Sequence, residues 1–157
     1  MEIKIEEFLR KTIVDDVKFL IENKKYYSAL VILSQTIETL GAFMDNKPFR
    51  AKMQSKKRFG LALKFLFPRN YKRANNDFFL YNKLRNQIAH ILVPSTLINI
   101  TEYTGANNEH MTSNKEGVLF ISVNQFYNDV EQAINKLEEK FNSGELKAKT
   151  VTINFEV

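Results

Sequence analysis

With 157 residues, of which 44% are hydrophobic and 26% charged, the chain is long enough for one packed domain and too short for two comfortable ones. Its 13 Phe, among many Ile and Leu, exclude intrinsic disorder; with no Cys and only two His (His90 and His110), disulfide scaffolds, thiol nucleophiles and iron–sulfur clusters are excluded too. The formal charge of +5 favours an anionic partner only weakly, because ordinary solvated surfaces carry such a charge as well.

The spacing of Ile5, Phe8, Leu9, Ile13, Val17, Leu20 and Ile21 predicts an amphipathic helix over 3–24. A second helix, over 26–45, is apolar around more of its circumference (Ala29, Leu30, Ile32, Leu33, Ile37, Leu40, Phe43) and suits the centre of a bundle. Asp45-Asn46-Lys47-Pro48 ends it, since Pro cannot continue the hydrogen-bond ladder. Ser55 is the expected cap of a third helix running to Phe67, with Pro68 as its stop and Arg69 to Asn76 as a connection. A fourth helix is expected over 77–92, ended by Pro94. The β-forming run 96–103, the polar loop Gly105 to Asn114 and the run 117–121 predict an antiparallel hairpin with a long connection. Ser122 and Gln125 form a capping-box pattern ahead of a last helix, whose stripe runs from Val123 to Phe141 and stops at Gly144. The tail 150–157 alternates apolar and polar residues and reads as a C-terminal strand, on the hairpin or on a partner chain. The expectation is a mainly α single domain over 1–157: about five helices (core 5–142), a small antiparallel sheet from the β insertion over 96–121, and the terminal strand.

No apolar run approaches the ~18 residues that span a bilayer, and the start of the chain lacks the uncharged stretch of a signal peptide. A cytoplasmic protein without a membrane partner is expected. Charge is unevenly distributed. From Lys47 to Arg85 there are 12 cations and one acid, Asp77, giving +11 and leaving −6 for the rest. Lys56, Lys57, Arg58, Arg69, Lys72 and Arg73 are the candidate nucleic-acid-binding residues, with Tyr71, Phe78, Phe79 and Tyr81 interleaved for stacking on bases. The alternative, a solvated helix face with core aromatics, fits the same pattern.

Phosphate-binding glycine loops, nucleophile elbows and zinc-binding helix motifs are absent, and neither metal nor cofactor is expected. The chemistry-bearing cluster is Arg85-Asn86-Gln87-Ile88-Ala89-His90. On a helix Asn86 and His90 share a face, while Arg85 projects about 140° away from His90. His can carry a proton near neutral pH and Arg can grip phosphate oxygens, which suits metal-free attack of a ribose 2′-hydroxyl on the adjacent phosphate. Against this stands a reading of His90 as a helix-end histidine and Arg85 as an ion-pairing residue.

That hexapeptide resembles the Arg-x4-6-His signature, in its Arg-Asn-x3-His form, of the HEPN superfamily of helical, often RNA-cleaving domains. The helix from Tyr26 to Glu38 is similar to the tyrosine-started, Glu-ended helix of many members. The resemblance implies an up-and-down helical bundle that forms a homodimer and binds RNA. It also implies metal-independent endoribonuclease activity in a toxin–antitoxin or phage-defence setting, with an antitoxin or nucleotidyltransferase as a partner chain. It further implies that Arg85 stabilises the scissile phosphate, His90 transfers protons and Asn86 orients substrate or imidazole. Glu38 is implied as an additional polar site residue, with a helix-pairing carboxylate as its alternative. From a different class, a non-catalytic helical protein-interaction module fits the same residues, and a small-molecule-binding bundle is a third reading. His110, beside Asn107, Asn108 and Glu109, is expected to be solvated, as are Asp15-Asp16 and Glu138-Glu139.

Overall fold

The computed structural model describes residues 2–102 and 109–154. Tyr103, the expected loop over 105–108 and the last three residues of the expected terminal strand lie outside them. The described chain is mainly helical with a small mixed sheet. After β1 (Glu2–Ile3), a continuous helix is built from α1 (Ile5–Glu7), a π-helical stretch (Phe8–Asp15) and α2 (Asp16–Glu22). Then come α3 (Tyr26–Met44), α4 (Ser55–Phe65), α5 (Arg69–Ala74), a 3-10 turn (Asn76–Phe78), a second π-helical stretch (Tyr81–Asn86) and α6 (Gln87–Ile91). The remainder is β2 (Ile98–Thr101), β3 (Thr112–Ser113), β4 (Leu119–Ser122), α7 (Val123–Asn142) and β5 (Val151–Thr152).

Central α3 buries Leu30, Leu33, Ile37, Leu40 and Phe43 together with Ala29, Ser34, Thr36 and Gly41. Its buried hydroxyls are satisfied locally: Ser34 donates to the Val31 carbonyl and Thr36 to the Ile32 carbonyl, both at 2.8 Å. Gly41 lets α4 approach to backbone contact, since a Cβ there would sit 1.9 Å from the Arg58 carbonyl oxygen. α7 closes the core with Val123, Phe126, Val130, Ala133, Ile134 and Leu137. Its link to the N-terminal helix is polar: Arg10 Nε and Nη2 donate to the two Glu138 carboxylate oxygens at 2.9 and 2.6 Å. Glu138 is therefore paired rather than simply solvated, while Asp15 and Asp16 are exposed as expected.

Four local expectations are corrected. The sheet is no simple hairpin. β2 runs parallel to β4 (Ile98 opposite Leu119), and the antiparallel partner of β4 is β3 (Thr112 opposite Phe120). β3 lies antiparallel on the far side of β4 and precedes it in sequence, so β2 and β4 are not the two arms of one hairpin. The terminal strand β5 pairs antiparallel with β1, Glu2 opposite Thr152, rather than joining that sheet. The expected connection at 69–76 contains helix α5, because Pro68 (φ −58°) starts a new helix as readily as it stops the previous one. Finally, neither expected cap forms in full. Ser55 lies inside α4 and its hydroxyl turns to Glu38. Ser122 Oγ does accept from the Gln125 N–H at 3.3 Å, but the Gln125 side chain goes to Asp129 instead of returning to Ser122.

A buried ionic hub holds the α3–α4 connection. Arg58 donates to Asp45 (2.7 Å from Nε) and to the carbonyls of Pro48 and Phe49 at 2.9 and 2.7 Å. Lys149, from the C-terminal segment, donates to Asp45 and to the carbonyls of Ala42 and Lys47. Burial alone would raise the Asp45 pKa, but bonds from Arg58 and Lys149 hold it below the usual carboxylate range.

Candidate nucleic-acid interface

α4, α5 and the turn after α5 expose one basic face. Inward Phe59, Ala62 and Leu63 on α4, and Tyr71 and Ala74 on α5, anchor the two helices in the core. The intervening positions Lys64, Arg69, Lys72 and Arg73 face solvent. Together with Asn76 these four cations line a cleft of 780 Å³ that contains no carboxylate. A smaller hollow of 340 Å³ shares Lys64, Lys72 and Asn76 with it and extends to Gly60, Asn75, Asp77 and Phe78. A third, of 370 Å³, shares Arg73 and Asn76 and reaches Lys83, Asn82 and the β3–β4 turn at Ser113 and Gly117. Asp77 is the acid at this junction.

Of the six expected contact residues, Arg69, Lys72 and Arg73 line the cleft. Lys56 and Lys57 are exposed on α4 outside it, with the Lys56 ammonium 4.4 Å from the Phe78 ring centroid. Arg58 is not on this face. It is 4% exposed and all three of its nitrogens serve the hub described above. Lys64, Lys83 and Asn76 belong to the face although the sequence reading did not single them out as contacts. Lys64 and Lys83 were visible in the charge run, but only the packing of α4 against α5 brings Lys64 to Lys72.

The expected stacking aromatics divide. Phe78 is 48% exposed, whereas Tyr71 is fully buried and Tyr81 nearly so. Tyr71 Oη donates to Asp129 Oδ2 at 2.8 Å and lies 3.0 Å from His110 Nε2. His110, expected in solvent, is 5% exposed, and its Nδ1 accepts the Ser122 N–H at 3.0 Å. That bond makes Nε2 the protonated nitrogen of the neutral ring, able to donate to Tyr71 Oη while Tyr71 donates to Asp129. Burial, then the Asp129 charge, push the Tyr71 hydroxyl well above its ordinary pKa, so it stays a donor. Burial alone would raise the Asp129 pKa, but bonds from His110, Tyr71 and Gln125 outweigh it and lower the value. This network ties α5, and with it Lys72 and Arg73, to β4 and α7.

The hexapeptide residues are separated by the fold. Arg85 turns inward and pairs with Glu38, Nη2 to Oε2 at 2.5 Å, and its guanidinium lies 5.6 Å from the Tyr81 ring centroid. Glu38 Oε2 also accepts from Ser55 Oγ at 2.6 Å, and Ser55 Oγ lies 2.8 Å from Tyr81 Oη. Ser55 and Tyr81, neither expected at this site, thus complete a polar cluster around the pair, in which Arg85 Nε is enclosed without a partner. Asn86 is half-buried and His90 is exposed. Ile91, Leu92 and Val93 continue from His90 as exposed apolar residues, and Tyr27 Oη donates to the Leu92 carbonyl at 2.5 Å.

Among the described residues no group of three or more His, Asp or Glu is placed to hold a metal ion, and no helix is long and apolar enough to cross a membrane. Compared with known proteins, the chain matches no family model, no curated sequence and no solved structure.

Proposed function

We propose that the protein binds RNA, with the phosphate backbone running along the face made by Lys64, Arg69, Lys72, Arg73 and Lys83. The observation that carries this reading is the 780 Å³ cleft with four cations and no carboxylate in its lining. Four such side chains repel one another, and an anionic chain relieves that repulsion while releasing its own counterions. Replacing Arg69, Lys72 and Arg73 together by Ala removes three phosphate contacts. The triple variant should bind a single-stranded RNA far more weakly than wild type, with a log–log salt slope shallower by about 2. Lys18→Ala, on an exposed face of α2, serves as the control and should bind as wild type. Equal slopes for wild type and the triple variant would contradict the reading.

The second reading extends the first: a HEPN-like, up-and-down helical homodimer that cleaves RNA without metal in a defence or toxin–antitoxin setting. What favours it is the exposed, unpaired His90 beside the apolar run Ile91–Val93, a surface suited to a second copy or to another partner chain. In a single chain Arg85 is neutralised by Glu38, so a phosphate would have to compete with that carboxylate. Cyclic-phosphate products formed in EDTA by wild type and not by His90→Ala would support cleavage; identical products from both would contradict it. A non-catalytic interaction module docking on the same apolar run would give neither products nor salt-sensitive RNA binding.

A further inference from the structure

The basic face accounts for phosphates, yet the hollow beside it has features that phosphate binding does not use. Phe78 is 48% exposed and lies on a backbone with φ +59°, directly after Asp77 at φ +50°. Two consecutive left-handed residues are uncommon, and for a bulky side chain such as Phe the conformation is an outlier. The bend is held by Asn75, whose carbonyl accepts the Phe78 N–H at 3.0 Å and whose Oδ1 accepts the Tyr81 N–H at 2.9 Å. In the same lining, Gly60 sits in the middle of α4, where glycine weakens a helix, and a Cβ there would meet nothing within 4 Å. Packing therefore explains neither the glycine nor the outward aromatic, while both line one cavity of 340 Å³ that opens onto the cationic cleft.

We propose that this hollow takes one unpaired nucleobase, stacked on Phe78 above the open Gly60 floor, while Lys64 and Lys72 hold the flanking phosphates. The ligand class is single-stranded RNA, because a base inside a duplex is already stacked and paired. Asn75, Asn76 and Asp77 put hydrogen-bonding groups at the rim, within the same hollow as the ring. The Lys56 ammonium lies 4.4 Å from the Phe78 ring centroid and holds one face of the ring, so the base stacks on the other. The inference rests on the RNA-binding reading above and adds to it what the bases do.

The test compares two strands of equal length and charge, a fluorescently labelled oligouridylate and an abasic ribose–phosphate strand, by anisotropy at one salt concentration. Wild type should bind the base-bearing strand about tenfold more tightly. Phe78→Ala, which removes the ring, and Gly60→Leu, which fills the hollow from a helix position with room for a side chain, should each bind both strands at the abasic affinity. Measurable and equal binding of both strands by wild type would overturn the base site and leave the basic-face reading standing. Binding of neither strand would overturn both. A base preference that survives in both variants would also overturn the proposal, since the base would then sit elsewhere.

Discussion

At the scale of single residues, charge and burial have to be separated before a cation can be given a role. Arg58 follows Lys56 and Lys57 in sequence and carries the same charge, yet it turns inward because Asp45 and two carbonyls of the α3–α4 connection offer it partners. Nothing in the Lys-Lys-Arg run announces this; the partner Asp45 lies across the break made by Pro48. The glycines divide in the same way. Gly41→Ala would place its Cβ 1.9 Å from the Arg58 carbonyl, a backbone atom that cannot rotate away. Helices α3 and α4 would have to part, and a loss of about 3 kcal/mol in urea denaturation is expected. Gly60→Ala meets nothing and should instead gain about 0.5–1 kcal/mol from helix propensity. A neutral Gly41→Ala would show that the two helices are not in backbone contact.

At the scale of elements, long amphipathic patterns were legible and short or non-local ones were not. The broad apolar surface of α3 and the narrow stripe of α7 appear where periodicity predicts them, because many residues vote for each. α5 has six residues, too few for periodicity, and its inward Tyr71 looked like an aromatic in a basic loop. The parallel β2–β4 pairing depends on a crossover that no local pattern encodes. His110 is informative in the same sense. Its polar neighbours predicted solvent, whereas Tyr71, Asp129 and the Ser122 N–H, on three different elements, draw it inside. This network has a pH signature. Asp129 has a folded-state pKa below its unfolded value, so its stabilisation is complete above the unfolded value, about 3.9, and fades as pH falls through the folded one. Asp45 adds to the same acid slope with the same sign. Asp129→Asn should therefore be less stable than wild type at pH 7 and lose less of its stability between pH 5 and pH 3, read from urea midpoints. A variant with the wild-type acid slope would contradict the assignment.

At the scale of the whole molecule, the +11 segment becomes a surface because α4, α5 and the turn at Asn76 fold side by side, with their apolar positions in one core. Composition located that segment; only the fold divides it into Arg69, Lys72 and Arg73 at a cleft, Lys56 and Lys57 beside it, and Arg58 inside. The hexapeptide behaves oppositely. Its residues are adjacent in sequence and diverge in space, Arg85 toward Glu38 and His90 toward solvent, as the helical angle between them anticipated. The basic face is where RNA is proposed to lie. Photo-crosslinking of the intact protein to a single-stranded RNA carrying 4-thiouridine, with the adducts located by mass spectrometry, tests that most directly. Adducts confined to residues 56–83, with Phe78 among them, are the predicted result. Adducts concentrated at Tyr27 and Ile91–Val93, or none at all, would contradict it.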